Sequence, residues 1–288
     1  MMGKVTVISS GLCTTIQDKG RFGFSKYGVP KSGAMDQRSF LLANYLLGNK
    51  ENCAVIEWAM MPPVLQFDEP TLISVTGAEC IPFLNEEEQK MNTSIQVFKN
   101  DVLMLKNVQN GCFGFVGIKN GFQTEMILKS RSYYKGITNR IMLMKNDHIL
   151  YEKNLVFDSK FASVSIANFW INSDKINCFE GPEFHLLSES QKLQLFVDRF
   201  TISNSKNRMA IQLSEPFFNN LSSMISAPVL PGTIQLTPSG KLIVLMRDCQ
   251  TVGGYPRILQ LTKESINVIA QKRAGEGIHF HLRSFDIK

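Results

Sequence analysis

Short apolar runs of period two recur along this chain, and Asn, Asp and Gly cut them every few residues. Val5-Thr6-Val7-Ile8, Ala54-Val55-Ile56, Leu72-Ile73-Ser74-Val75, Val102-Leu103-Met104-Leu105, Phe113-Gly114-Phe115-Val116 and Ile243-Val244-Leu245 are of this kind. Successive side chains on a strand point to opposite faces, so these runs suit strands that bury at least one face. Lys99-Asn100-Asp101 and Asn110-Gly111 supply chain reversals between them. The pattern predicts a mainly β protein, a barrel or sandwich of antiparallel strands with a few helices.

Three segments carry helical spacing instead. Asp36 to Leu47 sets Phe40, Ala43 and Leu47 on one face, with Gly48 placed as a left-handed cap. Ser188-Glu189-Ser190-Gln191 is a capping box, followed by Leu193, Phe196, Val197 and Phe200 at i, i+3, i+4 and i+7 spacing. After Thr262 a third helix buries Ile266, Ile269 and Ala270, carries Lys272 and Arg273 near its end, and stops at Gly275. At 288 residues the chain exceeds one typical domain and falls short of three. Two lobes are expected, 1–155 and 170–288, with the boundary in the looser polar stretch from Glu152 to Asp174. Thr15-Ile16-Gln17 recurs as Thr233-Ile234-Gln235, one copy per lobe, although three shared residues also arise by chance.

Charge and cysteine usage narrow the function classes. The 31 basic residues against 25 acidic ones, a net +6, are dispersed rather than gathered into a stripe with aromatic neighbours, which argues against nucleic acid. No window reaches the roughly 18 uninterrupted apolar residues of a membrane helix. Met1 to Ser10 reads as a strand and lacks a signal's apolar run and cleavage site, so a cytoplasmic protein is expected. Cys13, Cys53, Cys80, Cys112, Cys178 and Cys249 form no Cys-x-x-Cys pair, and reduced thiols are expected.

Two stretches carry candidate chemistry. Thr14 to Phe24, continued by Gly28-Val29-Pro30-Lys31-Ser32-Gly33-Ala34-Met35-Asp36, holds four glycines and a proline that fix the backbone. Gln17, Asp18, Arg21, Ser32 and Asp36 supply amide, carboxylate, guanidinium and hydroxyl groups. Ser32-Gly33-Ala34 leads into the first helix, whose N-terminus could receive a carboxylate or phosphate. A structural Asp18–Arg21 salt bridge is the competing reading. The second stretch, Asp248 to Arg257, follows a strand. Gly253 and Gly254 permit close backbone approach, Gln250 offers a donor and an acceptor, and Tyr255-Pro256 stiffens the exit. A tight glycine turn with a buried tyrosine is the alternative. Cys249 has no histidine nearby in sequence to act as a base, Gly240-Lys241-Leu242 lacks the Ser or Thr of a phosphate loop, and His279 with His281 lacks a third metal ligand.

Thr14 to Phe24, Gly28 to Asp36, Leu42 to Asn49 and Asp248 to Ile258 resemble, in order and spacing, the signature segments of the carboxyltransferase subdomain A/B family. Ala54 to Glu57 with Pro63 to Phe67, Thr76-Gly77-Ala78, Ser130-Arg131-Ser132, Asn139-Arg140, Gly181-Pro182, Asn207-Arg208-Met209 and Ala270-Gln271 agree with it. That family supplies the C component of bacterial 5-oxoprolinase and the second component of allophanate hydrolase-like proteins. The resemblance implies cyclophilin-like β-barrel lobes and a partner protein, the KipI-like B component. It also implies ATP, with Mg, used by the complex to phosphorylate the lactam oxygen of 5-oxoproline before the A component completes hydrolysis to glutamate. Two alternatives come with it: a carboxyltransferase of the urea amidolyase kind, with biotin carried on another protein, and a non-catalytic Kip-type regulator.

For the first reading, the expected catalytic residues are Asp18, Asp36 and Gln250. Gln17, Arg21, Ser32, Gly33, Arg131, Gly253, Gly254 and Tyr255 are expected to bind substrate, the two stretches meeting in one pocket. Arg21 or Arg131 would hold the substrate carboxylate, and Asp18 or Asp36 would orient the lactam N–H. The chain departs from the family pattern where Pro62, Asn120, Lys129 and Ala210 replace glycine and Cys112 stands where arginine is common.

Overall fold

The computed structural model describes residues 1–155 and 169–284, so 156–168 of the expected boundary stretch lie outside the described residues. Two compact units emerge: residues 1–21 with 32–168, and residues 22–31 with 169–288. The short run 22–31, inside the first unit's sequence, packs with the second.

The first unit contains β1 (Met2–Ser9), β2 (Cys13–Gln17), α1 (Gln37–Leu46), β3 (Val55–Ala59), β4 (Val64–Phe67), β5 (Thr71–Gly77) and β6 (Ile81–Leu84). It continues with β7 (Glu87–Glu88), β8 (Ser94–Val97), β9 (Val102–Lys106), β10 (Phe113–Ile118) and β11 (His148–Glu152). These strands form two sheets, ordered β11-β1-β4-β9-β6-β7 and β2-β3-β10-β5-β8. Alternation decides what is buried: Val5 and Val7, Leu65 and Phe67, Leu103 and Leu105, and Ile149 and Tyr151 point from the first sheet into one core. Ile16, Ile56, Trp58, Ile73, Val75, Val116 and Ile118 meet them from the second. The other face of the second sheet carries Ser74 and Thr76, whose hydroxyls donate to Ala43 O (2.9 Å) and Ser39 O (2.8 Å) of α1. All of β10 is therefore buried, with core on one side and helix on the other.

Asp36 caps α1, its Oδ1 accepting from Arg38 N (3.0 Å) and Ser39 N (3.2 Å), and Gly48 beyond the C-terminus has φ +58°. The Gly48 end matches the sequence expectation, while Asp36, expected as a catalytic residue, serves as the N-cap.

In the second unit α2 (Phe169–Asn172) precedes β12 (Lys175–Glu180), α3 (Glu189–Val197), β13 (Phe200–Lys206), β14 (Ala210–Leu213) and β15 (Ala227–Pro228). Then come β16 (Thr233–Leu236), β17 (Leu242–Leu245), β18 (Val252–Gly253), β19 (Arg257–Leu261), α4 (Lys263–Gln271) and β20 (Gly277–Leu282). Seven of these strands close into a barrel, β12-β19-β16-β17-β14-β13-β20, with β20 returning to β12 in parallel. The mainly β expectation holds, with a closed barrel here and paired sheets in the first unit.

Two helices differ in detail from the sequence expectation. The Ser188 capping box forms, but α3 ends at Val197, and Leu193 and Val197 are exposed while Leu195 is the buried residue. The expected stripe runs on to Phe200, which instead opens β13 and stacks 5.4 Å from Phe280. α4 ends at Gln271 rather than near Gly275, and Lys272 turns inward, its Nζ donating to Ile171 O at 3.2 Å.

Candidate functional site

In the first unit the organising group is the Asp18 carboxylate, 1% exposed just beyond β2. Its Oδ1 accepts from Ser130 Oγ (2.7 Å), Ser132 Oγ (2.7 Å) and Gly20 N (2.8 Å), and its Oδ2 from Arg131 N (2.7 Å). A carboxylate offers about four lone-pair positions, so four donors take up its capacity. In place of the Asp18–Arg21 ion pair of the competing reading, the carboxylate clamps the 130–132 loop; Arg21, also buried, donates from Nη2 to Ser132 O.

The clamped loop leaves a tight hairpin. Ile127 and Ser130 exchange backbone hydrogen bonds (2.9 and 3.2 Å) around Leu128 and Lys129, whose φ angles are +52° and +63°. Positive φ at both central residues is the type I′ turn, normally written Asn-Gly. Arg131 follows it, half-buried, with its Nη2 donating to Gln123 Oε1 at 3.0 Å. Gln123 in turn lines a cavity of about 330 Å³ with Tyr133, Ile127, Ile149, Arg140 and His148. Burial raises the Tyr133 phenol above its usual range, so it stays a hydrogen-bond donor at neutral pH.

Gln17, Ser32 and Gly33 lie in the same unit and are buried, and Asp36 is buried as the cap of α1. Asp36 Oδ2 also takes the Ser39 hydroxyl (2.5 Å), so the helix N-terminus expected to receive a ligand carboxylate already holds a carboxylate of the chain. Gly33 has φ +91°, and a Cβ there would lie 2.8 Å from the Lys19 carbonyl. Only glycine fits that backbone crossing. Gln17 Oε1 and Ser32 Oγ are buried with no hydrogen-bond partner among the described residues. Such orphaned polar atoms cost on the order of 1–3 kcal/mol each and call for an explanation.

In the second unit Gln250 Nε2 donates to Gln235 Oε1 (3.4 Å), and Gln235 Nε2 donates to Tyr255 O (3.2 Å). Gly253 lies so close that an added Cβ would be 2.4 Å from Gln235 Nε2. Gly254 O accepts from Met224 N (2.8 Å), and Tyr255 is 38% exposed rather than buried. Gln235 is missing from the sequence-predicted site, although the repeated Thr-Ile-Gln triplet points to it. Gln17 Nε2 donates to Tyr133 O (3.5 Å) as Gln235 does to Tyr255 O, so each triplet glutamine ties its own unit's loop to a strand.

Ion pairs frame this second loop. Arg208 grips Asp248 through Nε (2.8 Å) and Nη2 (3.1 Å), and Arg257 grips Glu183 through Nε (2.8 Å) and Nη2 (2.7 Å). The hydrogen bond from Arg257 holds the Glu183 carboxyl below the usual range. Cys249 is no nucleophile: burial, and then the Asp248 charge, push its thiol up to about 12. All six cysteines are free. Lys31 lies inside one of the family-like motifs, yet nothing in its local sequence marks its chemistry. Burial, Arg247 and Lys263 pull its ammonium down to about 8.

No helix among the described residues is long and apolar enough to cross a membrane. Residues 27–282 match the family described as the carboxyltransferase domain, subdomain A and B. The C component of 5-oxoprolinase from Escherichia coli (strain K12) is 28% identical over 281 residues, covering 95% of this chain and 89% of that protein. The component of the same name from Haemophilus influenzae is 29% identical, covering 92% and 87%. A putative urea carboxylase of Emericella nidulans is 32% identical across 98% of this chain, which is 24% of its own length. The crystal structure of TTHA0988 superposes with a TM-score of 0.86 at 23% identity over 97% of this chain, which spans 56% of that protein. Kluyveromyces lactis urea carboxylase gives a TM-score of 0.86 at 24% identity over 98% of this chain and 27% of its own. These two likenesses carry the fold alone. With the family match running through both units, the chain belongs to the carboxyltransferase subdomain A and B family.

Proposed function

We propose that this chain is the C component of an ATP-dependent 5-oxoprolinase, acting with a KipI-like B component, and with an A component, to convert 5-oxoproline to glutamate. The observation that carries the reading is the end-to-end correspondence with two relatives named as this component of 5-oxoprolinase, in which nearly the whole of each chain takes part. Urea carboxylase, by contrast, corresponds only through a quarter of its length.

Within this reading the residues divide by what their surroundings leave them able to do. Asp18 and Asp36 are positioning residues, since their oxygens are engaged by serines and backbone N–H groups. Arg131 is the better of the two arginines for the substrate carboxylate: it is half-buried beside a cavity, and a guanidinium matches a carboxylate bidentately. Gln17 Oε1 and Ser32 Oγ offer an acceptor and a hydroxyl to a lactam. Gln250 and the Gly253-Gly254-Tyr255 turn, stiffened by Gln235, contribute amide and backbone groups. ATP, with Mg, supplies the leaving group that a five-membered lactam lacks.

The test mixes the chain with its B and A components and measures glutamate released from 5-oxoproline. Release that requires ATP and falls at least tenfold in Arg131→Met supports the reading. Absence of turnover in the complete mixture ends it. Biotin-dependent carboxylation of urea, or tight partner binding without ATP consumption, would replace it with the carboxyltransferase or Kip-type reading.

A further inference from the structure

The cavity beside the clamped hairpin is walled by residues of the first unit, and Tyr133 is one of them. The backbone of Tyr133 is fixed against β2, its N–H donating to Ile16 O (2.9 Å) and its carbonyl accepting from Gln17 Nε2 (3.5 Å). Its side chain is 8% exposed, yet its hydroxyl makes no hydrogen bond among the described residues. Thr124 lines the same cavity, and its Oγ1 is buried with no partner among the described residues. Buried hydroxyls are seldom left unmatched, and two around one cavity point to a ligand that accepts from them.

The charges nearby are already answered within the chain. Arg140, at the rim, is ion-paired with Asp147, and His148 Nδ1 shares a hydrogen bond with Thr6 Oγ1 at 3.0 Å. Glu125 takes Asn139 Nδ2 on its Oε2 at 3.0 Å, which leaves its Oε1 as an acceptor for a further N–H. An entering anion would compete with Asp147 for Arg140 and would face the Glu125 carboxylate, so an uncharged ligand is favoured. Ile127 and Ile149 add aliphatic wall. At about 330 Å³ the cavity lies at the small end of the range for small-molecule sites, with room for a hydrocarbon body as well as a polar head.

We propose that this cavity binds an uncharged small molecule built on an amide with an aliphatic body. The Tyr133 hydroxyl donates to the amide carbonyl, joined by the Thr124 hydroxyl once a χ1 step turns it to the cavity, while Glu125 accepts the amide N–H. Ile127 and Ile149 pack on the hydrocarbon. The site goes beyond the 5-oxoprolinase reading, whose charged substrate is assigned to Arg131, Gln17 and Ser32, none of which lines this cavity.

The full chain, methyl-labelled at Ile and Thr, is titrated at pH 8 with three probes and followed by NMR. They are ε-caprolactam, cycloheptanone, which keeps the ring and carbonyl without the N–H, and 5-oxoproline, a lactam that carries a carboxylate. Saturable shifts at the Thr124, Ile127 and Ile149 methyls are expected with ε-caprolactam. A lost neutral hydrogen bond weakens binding about two- to tenfold, so Tyr133→Phe, Thr124→Val and the change to cycloheptanone should each cost that much. Glu125→Ala should erase the preference for ε-caprolactam over cycloheptanone. Neither hydroxyl has a partner in the chain, so Tyr133→Phe and Thr124→Val should melt no lower than wild type. No saturable shift at these methyls, wild-type affinity in both hydroxyl variants, lowered melts in both, or 5-oxoproline binding as tightly as ε-caprolactam overturns the proposal. Glutamate release by the assembled complex is a separate measurement, so the two readings fail independently.

Discussion

The hairpin that presents Arg131 stores strain that a double substitution should release. Leu128 and Lys129 both sit at positive φ (+52° and +63°), where a side chain with a Cβ costs roughly 1–2 kcal/mol per residue. Asn tolerates this region better and Gly occupies it freely, so Leu128→Asn with Lys129→Gly writes the sequence that a type I′ turn prefers. Against the roughly 2–4 kcal/mol of local strain stands the extra freedom that Gly gives the unfolded chain, roughly 0.5–1 kcal/mol. The apolar cover lost with Leu128, already 36% exposed, subtracts a little more. A net stabilisation of about 1–2 kcal/mol remains, or about 2–8 °C in the melting transition that includes the first unit. Differential scanning calorimetry of wild type, each single variant and the double variant measures it. An unchanged or lowered transition in the double variant would refute the reasoning, because the turn would then be relaxed as it stands.

Other substitutions probe the framework. Asp18→Asn replaces one acceptor oxygen with an NH2 donor facing donors that already point at it, and should destabilise the first unit by about 2–4 kcal/mol while weakening Arg131-dependent turnover, measured by melts and by glutamate release. Gly33→Ala places a Cβ 2.8 Å from the Lys19 carbonyl at φ +91°, and should cost about 1–3 kcal/mol in urea unfolding. The Glu183 carboxyl is held low by Arg257, so its folded pKa lies below its unfolded one. Its stabilisation is present above the unfolded value, about 4.3, and is lost as pH falls through the folded value, so wild type and Glu183→Gln should converge in stability as pH is lowered below about 4.3.

What the sequence disclosed was local, and what it withheld lay far apart along the chain. Alternation in Val5-Thr6-Val7 or Phe113 to Val116 predicts strands because each residue's face follows from its neighbour's. The cap at Ser188 is legible for the same reason, since the bonds it makes span three residues. Asp18 can be singled out as a polar residue in a glycine-rich stretch, but its partners Ser130 and Ser132 are 112 and 114 positions away. Spacing therefore favours Arg21, three residues on, which the carboxylate does not use. The stripe assigned to α3 fails because periodicity alone does not mark where a helix ends, and Phe200 has already joined the barrel. Nor can the residues themselves say that 22–31 packs apart from the sequence on either side of it.

The replaced glycines bear on activity less than their number suggests, and the backbone explains why. Asn120 and Lys129 keep the left-handed conformation that glycine would adopt, with φ of +62° and +63°. Asn120 is further secured, its N–H donating to Asn49 Oδ1 and its Nδ2 to Glu152, both at 2.8 Å. Pro62 and Ala210 are not at positive φ, so those positions place no demand that only glycine meets. Cys112 is 2% exposed just before β10, where its carbonyl accepts from Met60 N at 2.9 Å whatever the side chain. The departures thus leave the course of the chain intact and alter which side chains it presents. Of the five, Lys129 alone lies in the hairpin that Asp18 clamps, one residue from the clamped serine and two from Arg131. If the complex turns over poorly, restoring glycine at Lys129 tests whether that charge is the reason. A gain in turnover without a change in the Arg131→Met effect would assign the cost to Lys129 itself, because the loop's geometry is already the one glycine would give.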